Sequence, residues 1–266
     1  MKKLLITNAR LINEGDVIDA DVLIHGERIE KIAPSIAATD PVDVIDAAGK
    51  VLMPGMIDDQ VHFREPGMTH KGDLATESAA AAAGGITSFM DMPNVSPLTI
   101  DDDTLADKYR VAAGRCTSNY GFYLGATNTN IDEIRKLEVG NACGIKVFMG
   151  ASTGDMLVDD VDTLDKIFKD APVMVVTHCE DSPTIWDNEA KAREKYGDDV
   201  PMSEHPNIRS VDACFKSSSM AIELAQRHDA LLHVLHLTTA REMELFSPAP
   251  RHAKRITAEV CVHHLW

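Results

Sequence analysis

The sequence predicts an α/β fold: a small β-sandwich-like module over residues 1–52, then a parallel TIM-type (β/α)8 barrel over residues 53–266 with about seven strands present. Three observations predict it. Up to about residue 52 the chain reads as short strands separated by turn residues. From Pro54 onward apolar runs alternate with helix-length segments, the pattern of consecutive βαβ units on a parallel sheet. Seven strand segments can be counted in that stretch, whereas a closed barrel of this kind needs eight.

In order, the strands of the first module are expected at Leu4–Thr7, Val22–Ile24, Ile29–Ile32, Val42–Ile45 and Val51–Leu52, with turns at His25-Gly26-Glu27 and Ala48-Gly49-Lys50. The barrel strands are expected at Gly55–Val61, Ile86–Met90, Tyr120–Leu124, Gly144–Phe148, Val173–Thr177, Leu231–Leu237 and Ile256–Cys261. Between them, Asp73–Ala83 is alanine-rich, and Thr104–Ala113 and Asp160–Phe168 are amphipathic. A longer helix is expected over Ser210–Arg227, with Ser210 or Asp212 as its N-cap. Asp101-Asp102-Asp103 reads as a helix start, because acidic side chains favour the positive end of the helix dipole. Asp181–Arg209 is polar and interrupted by proline, so it reads as loop with one short helix at most. The chain ends at His263-His264-Leu265-Trp266, just after an apolar strand. With seven strands the first and last would be open edges, so the expectation is a chain that stops before its final strand.

The chain carries 26 Lys and Arg against 42 Asp and Glu, a formal net charge of −16. This disfavours nucleic acid and anionic membrane surfaces, which select a basic face. A small anionic substrate in a locally positive pocket remains compatible with it. No run approaches the roughly 20 apolar residues of a membrane span, and the start, Met1-Lys2-Lys3 followed by three apolar residues, is too short for a signal peptide. Cys116, Cys143, Cys179, Cys214 and Cys261 are dispersed, odd in number and form no C-x-x-C, which fits reduced thiols in a cytoplasmic protein.

In a parallel barrel the active site collects residues from the C-terminal ends of the strands. Read in order, those ends carry Gln60-x-His62-x-Arg64, Asn94, Lys146, His178 and His236. Residues far apart in sequence can converge there, and neutral imidazole suits zinc and its neighbours. One histidine after an apolar strand is most often a hydrogen-bonded structural residue. Three such histidines, together with a lysine inside a strand, resist that explanation. Lys146 lies between Ile145 and Val147 and is costly to bury as a cation; it must pair, lose its proton or be modified. His25, His70, His205, His228 and His252 are assigned to structure or surface. His233 joins them, because an odd spacing from His236 on one strand would turn it toward the helices.

Pro54-Gly55-Met56-Ile57-Asp58-Asp59-Gln60-Val61-His62-Phe63-Arg64-Glu65-Pro66-Gly67 resembles the signature of dihydroorotases in the amidohydrolase superfamily. Gly84-Gly85-Ile86-Thr87 with Met92-Pro93-Asn94 and Pro97 is similar to the next block of that family. Gly144-Ile145-Lys146-Val147-Phe148-Met149 resembles its lysine strand, and His178-Cys179-Glu180 and His236-Leu237-Thr238-Thr239 its fifth and sixth strand ends. Glu259 to Leu265 resembles the seventh. The resemblance implies a metal-dependent hydrolase barrel, with Lys146 carbamylated from carbon dioxide and bridging metals. It implies His62 on a first Zn2+ and His178 and His236 on a second. Arg64 and Asn94, with His264, would bind a substrate carboxylate, for which a guanidinium fork is suited. The implied reaction is dihydroorotate to N-carbamoyl-L-aspartate, a step of pyrimidine biosynthesis.

Two departures qualify that implication. Gln60 stands where the family usually has a first histidine, so the first metal site should be weakened and one strong ion is expected. The family's catalytic aspartate would lie beyond residue 266, so no catalytic base is assigned within the chain and the fragment alone is expected to be nearly inactive. Two alternatives stay open: an allantoinase or hydantoinase-type hydrolase, and a non-catalytic subunit scaffolding aspartate transcarbamoylase. A homodimer is the expected assembly.

Overall fold

The computed structural model describes residues 2–38, 41–150 and 156–266. The chain divides into two compact units, Met1–Met56 and Ile57–Trp266, a boundary four residues later than the 52/53 break in the sequence pattern.

The first unit contains β1 (Lys3–Asn13), β2 (Asp16–His25), β3 (Arg28–Ala33), β4 (Asp43–Asp46) and β5 (Val51–Leu52). Its strands lie in the order β3-β2-β1-β4, with β5 also on β1. β1, β2 and β3 are antiparallel, whereas β4 and β5 run parallel to β1. Glu14 and Gly15 both have positive φ, 51° and 88°, which is the handedness that a two-residue hairpin between twisted strands requires. Among the described residues this is one mixed sheet, not the two facing layers of a sandwich. Its buried apolar set is small, namely Leu5, Ala9, Ala20 and Val22.

The second unit alternates strand and helix: β6 (Met56–Val61), α1 (Leu74–Ala83), β7 (Ile86–Asp91), α2 (Asp102–Ala112), β8 (Asn119–Phe122), β9 (Leu124–Gly125), α3 (Ile131–Lys136) and β10 (Ile145–Phe148). There follow α4 (Val161–Asp170), β11 (Val175–His178), α5 (Ser182–Tyr196), α6 (His205–Ile208), α7 (Val211–His228), β12 (Leu232–Val234), α8 (Ala240–Met243) and β13 (Ile256–Ala258). Two sheets run in the orders β6-β7-β8 and β9-β10-β11-β12-β13. β8 and β9 are one strand position interrupted at Tyr123. Before it the chain pairs with β7, and after it with β10. Counted this way the described residues supply seven strand positions of the barrel, with helices between them. None of the helices is long and apolar enough to cross a membrane.

Short polar caps start the helices where the sequence placed them. The side chains of Asp73, Asp101, Asp160 and Ser210 each accept a backbone N–H of the first turn of α1, α2, α4 and α7, and such caps contribute roughly 0.5–2 kcal/mol each. Asp101 and Thr104 close a full capping box, so the acidic triplet is a helix start as expected. The 181–209 segment differs from its expected loop. Asp181 caps a 15-residue helix, α5, with proline in its first turn, where the missing N–H costs nothing. That helix buries only Ser182, Ile185 and Ala192, which is why its apolar periodicity is faint.

The main core lies between the strands and the helices and includes Phe89, Phe122, Ile145, Val147, Phe168, Val175, Leu232 and Val234. A second, smaller cluster joins Met92, Tyr123, Val176 and Leu235. Strand register fixes which side this is, because Lys146 pairs with Val176, Val176 with His233 and His233 with Thr257. In-register neighbours share a face, so Lys146, Val176, His233 and Thr257 all belong to the inner wall.

Candidate active site

His62 directly follows β6, and its Nδ1 is 2.9 Å from Asn94 Oδ1, on the segment after β7. An amide oxygen only accepts, so Nδ1 carries the hydrogen and Nε2 keeps its lone pair. Asn94 is therefore engaged first with a ring, and only its amide N–H groups stay available to a substrate. Two residues on, Arg64 adopts φ of 70°, a conformation costly for a side chain other than glycine. The loops that carry Arg64 and Asn94 are locked together. Ser96 N donates to Pro66 O at 3.1 Å, and a Cβ on Gly67 would stand 2.0 Å from Ser96 O, so only glycine fits there.

Across the barrel, His178 ends β11 and pairs in register with Phe148 of β10. His178 Nε2 lies 2.7 Å from Glu180 Oε2. A carboxylate can only accept, so Nε2 carries the hydrogen and Nδ1 presents a lone pair. That Nδ1 is 3.1 Å from His236 Nε2. His236 lies two residues beyond the end of β12 with φ of 39°, and this bend turns its ring toward His178. Arg209 adds an ion pair to Glu180 at 3.3 Å. Burial opposes charge on Glu180, yet the His178 N–H and Arg209 hold its carboxyl below the usual range. A cavity of about 210 Å3 opens here, lined by His178, Glu180, Arg209 and His236 among others.

Lys146 is almost wholly buried on the inner face of β10, its ammonium 4.4 Å from the centre of the Phe148 ring. Burial pulls its pKa down to about 7, against the weaker opposing pull of Cys179 and Glu259. His62 and His236 are each lowered to about 4, by burial first and then by surrounding positive charge. For His62 that charge comes from Arg64, Lys146 and His236; for His236 it comes from His178 and Lys146. His62, Lys146 and His236 thus share one electrostatic locality, and both rings are neutral near pH 7.

His178 and His236 present a pair of ring nitrogens whose spacing suits a divalent cation. The 3.1 Å between His178 Nδ1 and His236 Nε2 is near the spacing of about 3.3 Å expected for two nitrogens on a tetrahedral ion with bonds of about 2.0 Å. The Glu180–His178 contact has the carboxylate–histidine form that orients metal-binding imidazoles.

His264 stands apart. Its Nδ1 accepts the Cys261 N–H at 3.1 Å and its ring packs on His263, centroids 4.2 Å apart. Among the described residues no hydrogen bond or ring contact brings it to the cluster. His233 is a correction: it faces the barrel interior, not the helices. Parity along a strand fails because β12 ends at Val234 and the chain bends before His236. Glu180 and Arg209 carried no signal beyond the closeness of Glu180 to His178. His205, assigned to structure or surface, lines the same cavity as His178 and His236.

Comparison with known proteins bears on this arrangement. Residues 51–246 match the Amidohydrolase family. The chain belongs to that family. It is 32% identical over its whole length to a dihydroorotase of Methanosarcina acetivorans, covering 58% of that relative. It is 31% identical to an allantoinase of Desulfitobacterium hafniense, over 99% of this chain and 59% of the relative. The solved structure of L-hydantoinase (dihydropyrimidinase) from Arthrobacter aurescens superposes with a TM-score of 0.90 at 26% identity, covering 98% of this chain and 58% of that one. The chain therefore spans about three fifths of the length of these amidohydrolases. The fold shared with that solved structure is the hydrolase barrel.

Proposed function

We propose that the strand-end cluster is the metal centre of a cyclic amidohydrolase whose substrate is dihydroorotate, interconverted with N-carbamoyl-L-aspartate. The observation that carries the reading is the joint burial of Lys146, His62 and His236 with the 3.1 Å contact between His178 and His236. His62, His178 and His236 would hold the ion through ring nitrogens. Lys146, with a pKa near 7, offers an unprotonated amine at neutral pH; adding it to carbon dioxide with loss of a proton gives a carbamate, the anionic ligand this buried position lacks. A divalent ion bound there supplies Lewis acidity toward the ring carbonyl and toward water.

The remaining work belongs to side chains of this chain. Arg64 raises the positive potential beside His62 and offers two parallel N–H groups to a carboxylate. Asn94 orients His62 through its amide oxygen. Glu180, braced by Arg209, fixes the tautomer of His178. Arg64 favours dihydroorotate over allantoin and simple hydantoins, which lack the ring carboxylate.

Calorimetric titration of the Zn2+-loaded, bicarbonate-treated chain with dihydroorotate, allantoin and a 5-substituted hydantoin tests the assignment. Dihydroorotate should bind most tightly, and Arg64→Lys should weaken it at least tenfold while leaving the other two unchanged. Equal binding of all three, indifferent to Arg64, would give the site to an allantoinase or hydantoinase-type activity.

A further inference from the structure

We propose that Asp59, His233 and Glu259 form a second divalent-cation site on the inner wall of the barrel, separate from the strand-end centre. Asp59 comes from β6, His233 from β12, and Glu259 directly follows β13. One donor atom from each lies within 4.8 Å of the others. His233 Nε2 is 3.5 Å from Asp59 Oδ2 and 3.3 Å from Glu259 Oε2.

The tautomer of His233 sets which ring nitrogen faces the two carboxylates. Thr257 Oγ1 directs its proton to Leu232 O at 3.3 Å, so it receives the hydrogen of His233 Nδ1, 2.8 Å away. Nε2 therefore faces the two carboxylate oxygens, within hydrogen-bonding reach of Glu259 Oε2. The separations of 3.3 and 3.5 Å also match the edge of about 3.3–3.5 Å around a tetrahedral ion with N and O bonds of about 2.0–2.1 Å. Burial and the adjacent Glu259 push the Asp59 carboxyl up to about 6, against the weaker opposing pull of His233.

The site also has an approach and a consequence. Asp59, Tyr123, His233 and Thr257 line a cavity of about 580 Å3, which leaves room for entry and for water as fourth ligand. Glu259 uses its other oxygen to accept the His236 N–H at 3.2 Å, so the ion would brace the bend that aims His236. Two carboxylates and one imidazole select a borderline cation such as Zn2+.

The test is titration of Zn2+ alone into the chelator-stripped chain, with stoichiometry read by calorimetry and elemental analysis. The His178→Ala/His236→Ala variant should still bind one equivalent. Adding Asp59→Asn, an isosteric change at a half-exposed position, or His233→Gln should remove it, with near-ultraviolet circular dichroism confirming the fold. Retention of that equivalent in both additional variants would overturn the site, as would the absence of any Zn2+ binding once His178 and His236 are replaced. Failure of the strand-end reading looks different: the His178→Ala/His236→Ala variant would then match the parent, while Asp59→Asn still cost one equivalent.

Discussion

Lys146 is where burial and chemistry meet in one residue. Its folded pKa of about 7 stands below the ordinary 10.5 because the ammonium has left water. Between those values the unfolded chain binds a proton that the folded chain does not, so unfolding free energy rises with pH across the window. The cost of burying the cation is complete below pH 7 and fades above it. Denaturant midpoints measured without metal or carbon dioxide should therefore rise from pH 7 to pH 8.5, and Lys146→Met should flatten the slope. The upper limit matters, because Cys143 and Cys179 are raised by burial to about 11 and oppose the trend once free thiols ionise. An unchanged slope in the variant would remove Lys146 as its source. This residue was legible in the sequence because a charge inside an apolar run has no neutral explanation. Glu180, Asp59 and Glu259 were not, since a carboxylate near a strand end looks like any surface acid until a histidine is seen beside it.

At the scale of elements, the loops after β6 and β7 are held from behind by a buried ion pair. Asp91 Oδ1 accepts the Phe63 N–H at 2.8 Å, and Lys108 of α2 donates to Met92 O at 2.7 Å. Asp91 Oδ2 pairs with the Lys108 ammonium at 2.7 Å, both side chains fully buried. Burial raises the carboxyl of Asp91 and lowers the pKa of Lys108, and each charge counters that for its partner. Removing one partner leaves the other charge stranded. Lys108→Met should cost about 3–5 kcal/mol in denaturant unfolding, and adding Asp91→Asn should recover most of it. A double variant as unstable as the single one would contradict the pairing. Elements with strong caps and apolar stripes, such as α4 and α7, were readable from sequence to within two residues. α5 was not, because its exposed polar surface hides the helical period, and β12 was read too long because its last expected residues are apolar but bent.

For the whole molecule the question is what joins strands that are distant in sequence. His62, Lys146, His178 and His236 come from β6, β10, β11 and the end of β12, so an ion held among them cross-links the second unit at several strand positions. The first unit has its own sheet and buried set, which makes it an internal reference. A ligand that binds only the folded state adds about 2.7 kcal/mol at 100 times its dissociation constant, or roughly a 100-fold slowing of amide exchange through global opening. Hydrogen exchange of the chain with Zn2+ and bicarbonate, compared with the chelated chain, should show that slowing at Ile145–Phe148, Val175–His178 and Leu232–Val234. Amides of β1 and β2 should change far less. His178→Ala should abolish the difference without altering exchange in β1. If zinc leaves the three inner strands as fast as before, the four side chains do not share an ion, and their convergence would be a matter of packing alone.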